Sequence, residues 1–221
     1  AQIELDLGHP GQADELAQGA LDIGRRKRFG NVIAASYNTL GNVALYRGEM
    51  KEAEKHYRKS SGVERRGRGN EDKAAVLNNL ANVMAARGEL AGARELLVEA
   101  VEASRVTGRM TQEGGILVTL AGIEHQLGHD AAVDPLLDDA LEVFRRLELD
   151  RGEAEVRLQQ ARVARSRHQI KGALELVELG RLALRGLTLP RIVAELDLLE
   201  AELLLDDGDP VAAGHRALAA R

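Results

Sequence analysis

Two histidines four residues apart, His125 and His129 in the stretch EHQLGH (124–129), have the spacing at which one helix face clamps a divalent metal. Gly128 stands between them where a turn is expected, so the rings should come from different helices, and no third ligand accompanies them. A metal is therefore not expected. The acidic run DDGDP (206–210) has the oxygen density of a calcium loop but no glutamate twelve positions from its start, and a helix end with acidic decoration explains it better. His9, His56, His168 and His215 are scattered, and the chain contains no GxxxxGK(S/T) phosphate loop, GxSxG elbow or HExxH helix. Neither a catalytic centre nor a cofactor is expected.

The side chains with recognisable binding chemistry are amides and guanidiniums. Asn38 and Asn42 return forty residues later as Asn78 and Asn82. Asparagine is a mediocre mid-helix residue because its amide competes for nearby backbone groups. The same amide offers donors and an acceptor, so it can hold the backbone of an extended peptide without reading its side chains. Arg162 and Arg165 have the fork geometry that grips a carboxylate. Solvated polar residues copied when a unit was duplicated would look alike at this level. Two basic runs, RRKR (25–28) and RRGR (65–68), also lie forty apart. Basic residues are favoured at helix C-termini by the helix dipole. With a net charge of −5 and no Trp to stack bases, that role is expected rather than direct contact with nucleic acid.

What must position these groups is a repeat. Rows of forty align Gly8, Gly48, Gly88, Gly128, His168 and Gly208 in one column. Seven residues earlier stand the small residues Gly41, Ala81, Ala121, Ala161 and Ala201; five earlier, the aliphatic Val43, Val83, Ile123, Val163 and Leu203. Five residues after the column come Ala13, Ala53, Ala93, Val133, Ala173 and Ala213, and twelve after it Ala20, Ser60, Ala100, Ala140, Gly180 and Ala220. Antiparallel helices approach closely only where side chains are short, and aliphatic columns then fill the grooves between them. The glycine column suits a left-handed helix C-cap, where a missing Cβ costs least. Turn formers recur between units at RFGN (28–31), RGNED (68–72), TGRM (107–110), LDRG (149–152) and LPR (189–191), with Pro190 suited to a first helical position. The units read 1–29 (partial), 30–69, 70–109, 110–149, 150–189 and 190–221, in one array over 1–221.

On Leu40, Gly41, Gly48, Ala53, Tyr57 and Ser60, repeated as Leu80, Ala81, Gly88, Ala93, Leu97 and Ala100, the chain resembles the tetratricopeptide repeat family. Its forty-residue unit is longer than the usual 34 and is similar to arrays in Pins-type polarity scaffolds and in bacterial signalling and transcription regulators. Gln160 and Glu200 replace the leucine and His168 the glycine of the pattern, and Tyr37 and Leu77 stand where it opens with tryptophan. Loosening of the fourth and fifth units is expected from those departures.

The resemblance implies an all-α fold, an α-α superhelix of about five antiparallel helix pairs, with a concave side lined by the first helix of each pair and filled by a partner segment. The stripes on those helices would be Asn38, Asn42 and Leu45; Asn78, Asn82 and Ala85; Val118, Gly122 and His125; Leu158, Arg162 and Arg165; and Leu198, Glu202 and Leu205. Asn38, Asn42, Asn78, Asn82, Arg162 and Arg165 are the candidate peptide-binding residues.

Bulk properties agree with such a fold. The 221 residues are 44% hydrophobic and 29% charged, enough to bury a core, and Cys is absent, which suits a reducing compartment. No apolar run reaches the roughly 20 residues that span a bilayer, and a cytoplasmic location is expected. Residues 1–110 carry net +2 and 111–221 net −7, and 24 Arg against 6 Lys suits a GC-rich bacterial genome. The chain starts inside what reads as a helix, so a piece of a longer protein is expected. A scaffold or adaptor that docks a protein or peptide is the expected function. The alternative is a self-association module, dimerising through the last helix around Val211, Ala213 and Leu218.

Overall fold

The computed structural model describes residues 9–63, 73–187 and 189–219. Gly8, the runs RRGR (65–68) and RGNED (68–72), and Ala220 lie outside the described residues. Those residues form helices and no strand, and the chain divides into two compact units, Ala1–Gln112 and Glu113–Arg221.

The first unit contains α1 (Pro10–Lys27), α2 (Gly30–Tyr46), α3 (Met50–Ser61), α4 (Lys73–Ala86) and α5 (Leu90–Thr107), each packed on the next. The helix α6 (Met110–Gln126) begins at the end of that unit. In the second unit follow α7 (Asp130–Arg146), α8 (Asp150–Ser166), α9 (Ile170–Ala183), α10 (Pro190–Asp206) and α11 (Pro210–Ala219). Here α8 also packs directly on α10, as first helices of adjacent pairs do in a stack.

The glycine column is the turn inside each pair. Gly48, Gly88, Gly128 and Gly208 have φ of 78°, 82°, 76° and 87°, the left-handed region. The next amide reaches back across the turn, as in Glu49 N to Ala44 O at 2.8 Å and His129 N to Glu124 O at 2.9 Å. His168 takes the same conformation at φ 57°, with Gln169 N donating to Ala164 O at 2.9 Å. The turn therefore survives the loss of glycine, and α8 keeps the 17-residue length of α2 and α6. The fourth pair is not loosened there. A second left-handed column joins successive pairs at Arg28 (φ 55°), Gly108 (φ 67°) and Glu148 (φ 53°). It is invisible as a glycine column because two of its three residues carry side chains. The basic run at 25–28 ends α1: Arg25, Arg26 and Lys27 fill its last turn, where the dipole favours cations.

The small and aliphatic columns form the core. Val43, Val83, Ile123, Val163 and Leu203 are all buried, as are Ala53, Ala93, Val133, Ala173 and Ala213. The burial of Ala213 removes it from the outward face expected of the last helix, whose exposed apolar side chains are Val211 and Leu218. Leu158, placed on the first-helix stripe, also turns inward and joins Ala161, Leu196 and Leu199 in the core. In the first unit the fully buried Tyr57 ring lies against Gly41, where any Cβ would collide with it. The second unit inverts the arrangement: Phe144 on α7 fills a slot between Gly114 on α6 and Gly152 on α8. Gly152 is thus not a turn residue but a helical one, buried because a ring occupies the space of its missing side chain.

Two consequences are measurable by chemical denaturation. Replacing Gly152 with Ala should destabilise the protein by about 1–3 kcal/mol through overpacking against Phe144, whereas Gly115→Ala, in the same unit with open space at its Cβ, should be neutral or gain about 0.5–1 kcal/mol. Equal effects of the two would refute the slot. His168→Gly should stabilise by about 0.5–1 kcal/mol by relieving a left-handed non-glycine residue, and Gly128→Ala should cost about as much.

Candidate docking surface

The first unit presents α2 and α4 as the first helices of adjacent pairs, and their amides are not equivalent. Tyr57 is buried, so its hydroxyl needs a partner, and it donates to Asn42 Oδ1 at 2.7 Å. Asn79 Nδ2 on α4 reaches across to α2 and bonds both Asn38 Oδ1 and Asn42 Oδ1, each at 3.2 Å. Asn38, Asn42 and Asn79 thereby form a partly buried amide chain that joins two first helices and continues into the core through Tyr57. Burial raises the pKa of that phenol, so the hydroxyl stays protonated and donates. Asn78 Oδ1 is buried without a hydrogen bond, while Asn82, one turn on, is exposed. The stripe residues Asn38 and Asn42 are thus brought together, while Asn78 and Asn82 stand on the neighbouring helix.

In the second unit Arg162 and Arg165 line one small cavity of about 180 Å³ with Glu195, Leu198, Leu199 and Glu202. Both guanidiniums are committed. Arg162 meets Glu195 at 3.1 Å, and Arg165 pairs with Glu202 and with Asp206 at 2.6 Å. The hydrogen bond from Arg165 holds the Asp206 carboxyl below its ordinary value, and the Asp206 bond in turn raises Arg165. At Glu195 burial pushes the pKa up, but hydrogen bonds from Arg191 and Arg162 outweigh it and the net shift is downward. A carboxylate entering this cavity meets cations already neutralised by α10. Leu198 and Leu205, beside these pairs, are 53% and 56% exposed.

Residues 32–105 match the family model described as tetratricopeptide repeat. Over those residues, about a third of the chain, the sequence is similar to that family. No curated protein sequence matches the chain. Among solved structures, BtubC (BKLC) from P. vanneervenii superposes with a TM-score of 0.73 at 18% identity, covering 96% of this chain and 89% of that one. The apo form of RapI gives 0.74 at 12% identity over 100% and 94%. YrrB, described as a TPR protein with an unusual peptide-binding site, gives 0.53 at 15% identity over 94% and 93%. At such identities the likeness is one of fold, the all-α α-α superhelix class.

The tetratricopeptide repeat pattern explains why Asn38 and Asn42 lie on the first helix, but not their bonding. Asn79 and Tyr57 are the residues that sequence reasoning missed at this surface. A signal existed: Tyr57 is an aromatic with a hydroxyl in a column that otherwise holds Ala17, Leu97, Leu137, Val177 and Ala217, and a buried hydroxyl demands an acceptor. His125 and His129 come from either side of their turn, as expected. Their Nδ1 atoms meet Asp130 at 3.2 Å and the buried Glu124 at 2.6 Å respectively. Among the described residues no group of three potential metal ligands occurs.

The Arg165 pairing fixes a pH dependence. Asp206 should titrate below 3.8, and its midpoint should rise toward that value in Arg165→Gln, as read by carboxyl NMR. Because the folded-state pKa is depressed, the stabilisation is fully present above 3.8 and is lost as pH falls through the lowered midpoint. An unshifted Asp206 midpoint in the parent protein would break the assignment.

Proposed function

We propose that this chain is a docking module that holds an extended segment of a partner protein along the first helices α2 and α4, within a larger bacterial signalling or transcription-regulatory protein. The observation that carries the reading is the amide chain of Asn38, Asn42 and Asn79 across those helices, with the exposed Asn82 beside it. Amides at such a surface suit backbone recognition, because each can meet a peptide N–H or C=O irrespective of side chain. Peptide binding by YrrB on a similar fold is in keeping with this reading. In the same reading the chain acts as one array of forty-residue units in the cytoplasm, touching neither nucleic acid nor membrane. Arg162 and Arg165 enter as exchangeable cations: a partner carboxylate is admitted by displacing Glu202 or Asp206, not by filling an empty site.

The test must respect the bonding of Asn42, since Asn42→Ala alone strands the buried Tyr57 hydroxyl. A peptide selected from a random library on the parent protein should lose roughly tenfold in affinity for Asn82→Ala and for the double variant Asn42→Ala, Tyr57→Phe, both retaining helical circular dichroism. Unchanged affinity in both would discard the amide surface.

A second reading is self-association through α11, favoured by Val211 and Leu218, which are 69% and 66% exposed. Light scattering across concentration separates the two. A dimer that dissociates in Val211→Ser, Leu218→Ser supports the second reading, and a monomer at every concentration removes it.

A further inference from the structure

The first unit also holds a cavity of about 390 Å³ framed by α1, α2 and α3. Its α2 wall is Tyr37, Leu40, Ala44 and Arg47, which at helical spacing share a face roughly opposite to that of Asn38 and Asn42. This is a different surface from the peptide face, and the inference below does not rest on that reading.

Within the cavity lining Arg47 meets Asp14 at 2.9 Å. Elsewhere in the lining Arg25 and Lys59 stand with the carboxylates Asp22 and Glu52. The Arg25 guanidinium lies 5.8 Å and the Lys59 ammonium 5.4 Å from the centre of the Tyr37 ring, and Arg25 also donates to the Tyr37 hydroxyl at 2.6 Å. Neither cation meets a carboxylate among the described residues, in a protein whose other half commits arginine after arginine to ion pairs. Two like charges sharing one ring repel, and an anion placed between them turns that repulsion into attraction.

Beside the ring, at 6.0 Å between centroids, lies His56, whose side chain is 18% exposed. Its Nε2 lies 3.4 Å from Glu52 Oε1, and with the ring proton on that nitrogen Nδ1 is an acceptor. Nδ1 is buried and has no hydrogen-bond partner. An orphan acceptor in a cavity wall calls for a donor on whatever fills the cavity.

We propose that this cavity binds a small hydroxylated phosphate monoester, with its phosphate between Arg25 and Lys59 at the Tyr37 hydroxyl and a hydroxyl donating to His56 Nδ1. A monoester fits better than a simple carboxylate because its three terminal oxygens and nearly double charge engage two separated cations at once. The aliphatic floor of Leu21, Leu40 and Val43 takes the carbon chain, and Asp22 and Glu52 accept from further hydroxyls. A cavity of this size accommodates a metabolite of a few carbons.

Glycerol 3-phosphate, inorganic phosphate and glycerol serve as probes, titrated against the full chain with amide NMR as readout. Glycerol 3-phosphate should shift the amides of Leu21, Val43 and Ala44 saturably and bind more tightly than inorganic phosphate, and glycerol should not bind. Arg25→Gln and Lys59→Gln should each weaken it about tenfold, while Arg26→Gln, one residue away on the same helix end, should leave affinity unchanged. Circular dichroism verifies folding, and these exposed cations are not part of the core. The proposal is overturned by the absence of saturable binding for both phosphate probes, by inorganic phosphate binding as well as the ester, or by Arg26→Gln weakening binding as much as Arg25→Gln, which would mean diffuse attraction to a basic helix end.

Discussion

Where an aromatic ring is buried between helices in this protein, the helix facing it lacks a side chain, and much else follows from that closeness. Gly41 under Tyr57, and Gly114 with Gly152 around Phe144, are the same solution built with the partners exchanged. A ring cannot be buried between two helices unless one backbone gives way to it, and only glycine gives way completely. Once the ring is in place it sets the spacing and rotation of the neighbouring first helices, and so which residues of α2 and α8 can reach the surface.

The Tyr57 ring carries a further constraint because it is not purely apolar. Its hydroxyl would be stranded in the core without Asn42, and Asn42 in turn is held by Asn79 from the next first helix. A packing decision at the centre of the first unit thus propagates outward as a line of hydrogen bonds and ends in amides at the surface. Removing any member leaves a neighbour unsatisfied, which costs more than the bond itself. Asn82 occupies the same column as Asn42 without that burden, because Leu97 replaces the tyrosine. The two asparagines look alike in sequence and do different work.

That contrast marks how much the sequence makes legible. Periodicity of forty located the helices, the turns and the small and aliphatic columns, because each of those is dictated by a local backbone conformation or by a close approach that recurs in every unit. It failed where the conformation recurs but the residue does not: the left-handed Arg28 and Glu148 carry no glycine signal, and Gly152 looked like a turn residue although a ring from another helix explains it. That Asn38 and Asn42 share one helix face was readable from spacing alone. The commitment of Arg162 and Arg165 to Glu195, Glu202 and Asp206 was not, since those pairs span 33 to 41 residues and depend on how first helices align across adjacent units.

The same spacing separates structural charges from available ones. Arg47 with Asp14, Arg87 with Glu54 and Arg167 with Asp134 each join a residue just before a turn to an acidic residue 33 positions earlier, on the preceding second helix. Exposed pairs of this kind contribute only about 0–1 kcal/mol each, so their recurrence is better understood as fixing register between adjacent pairs than as holding the protein together. A cation inside that scheme is neutralised by the fold and has little left for a ligand. Arg25 and Lys59 stand outside it, in no such pair, gathered over a ring that the fold had to place at Tyr37 for reasons of packing. Two cations that this register scheme leaves unpaired, held beside a half-buried aromatic and an orphan imidazole nitrogen, are where ligand chemistry has room to act in a molecule otherwise built from its own internal complements.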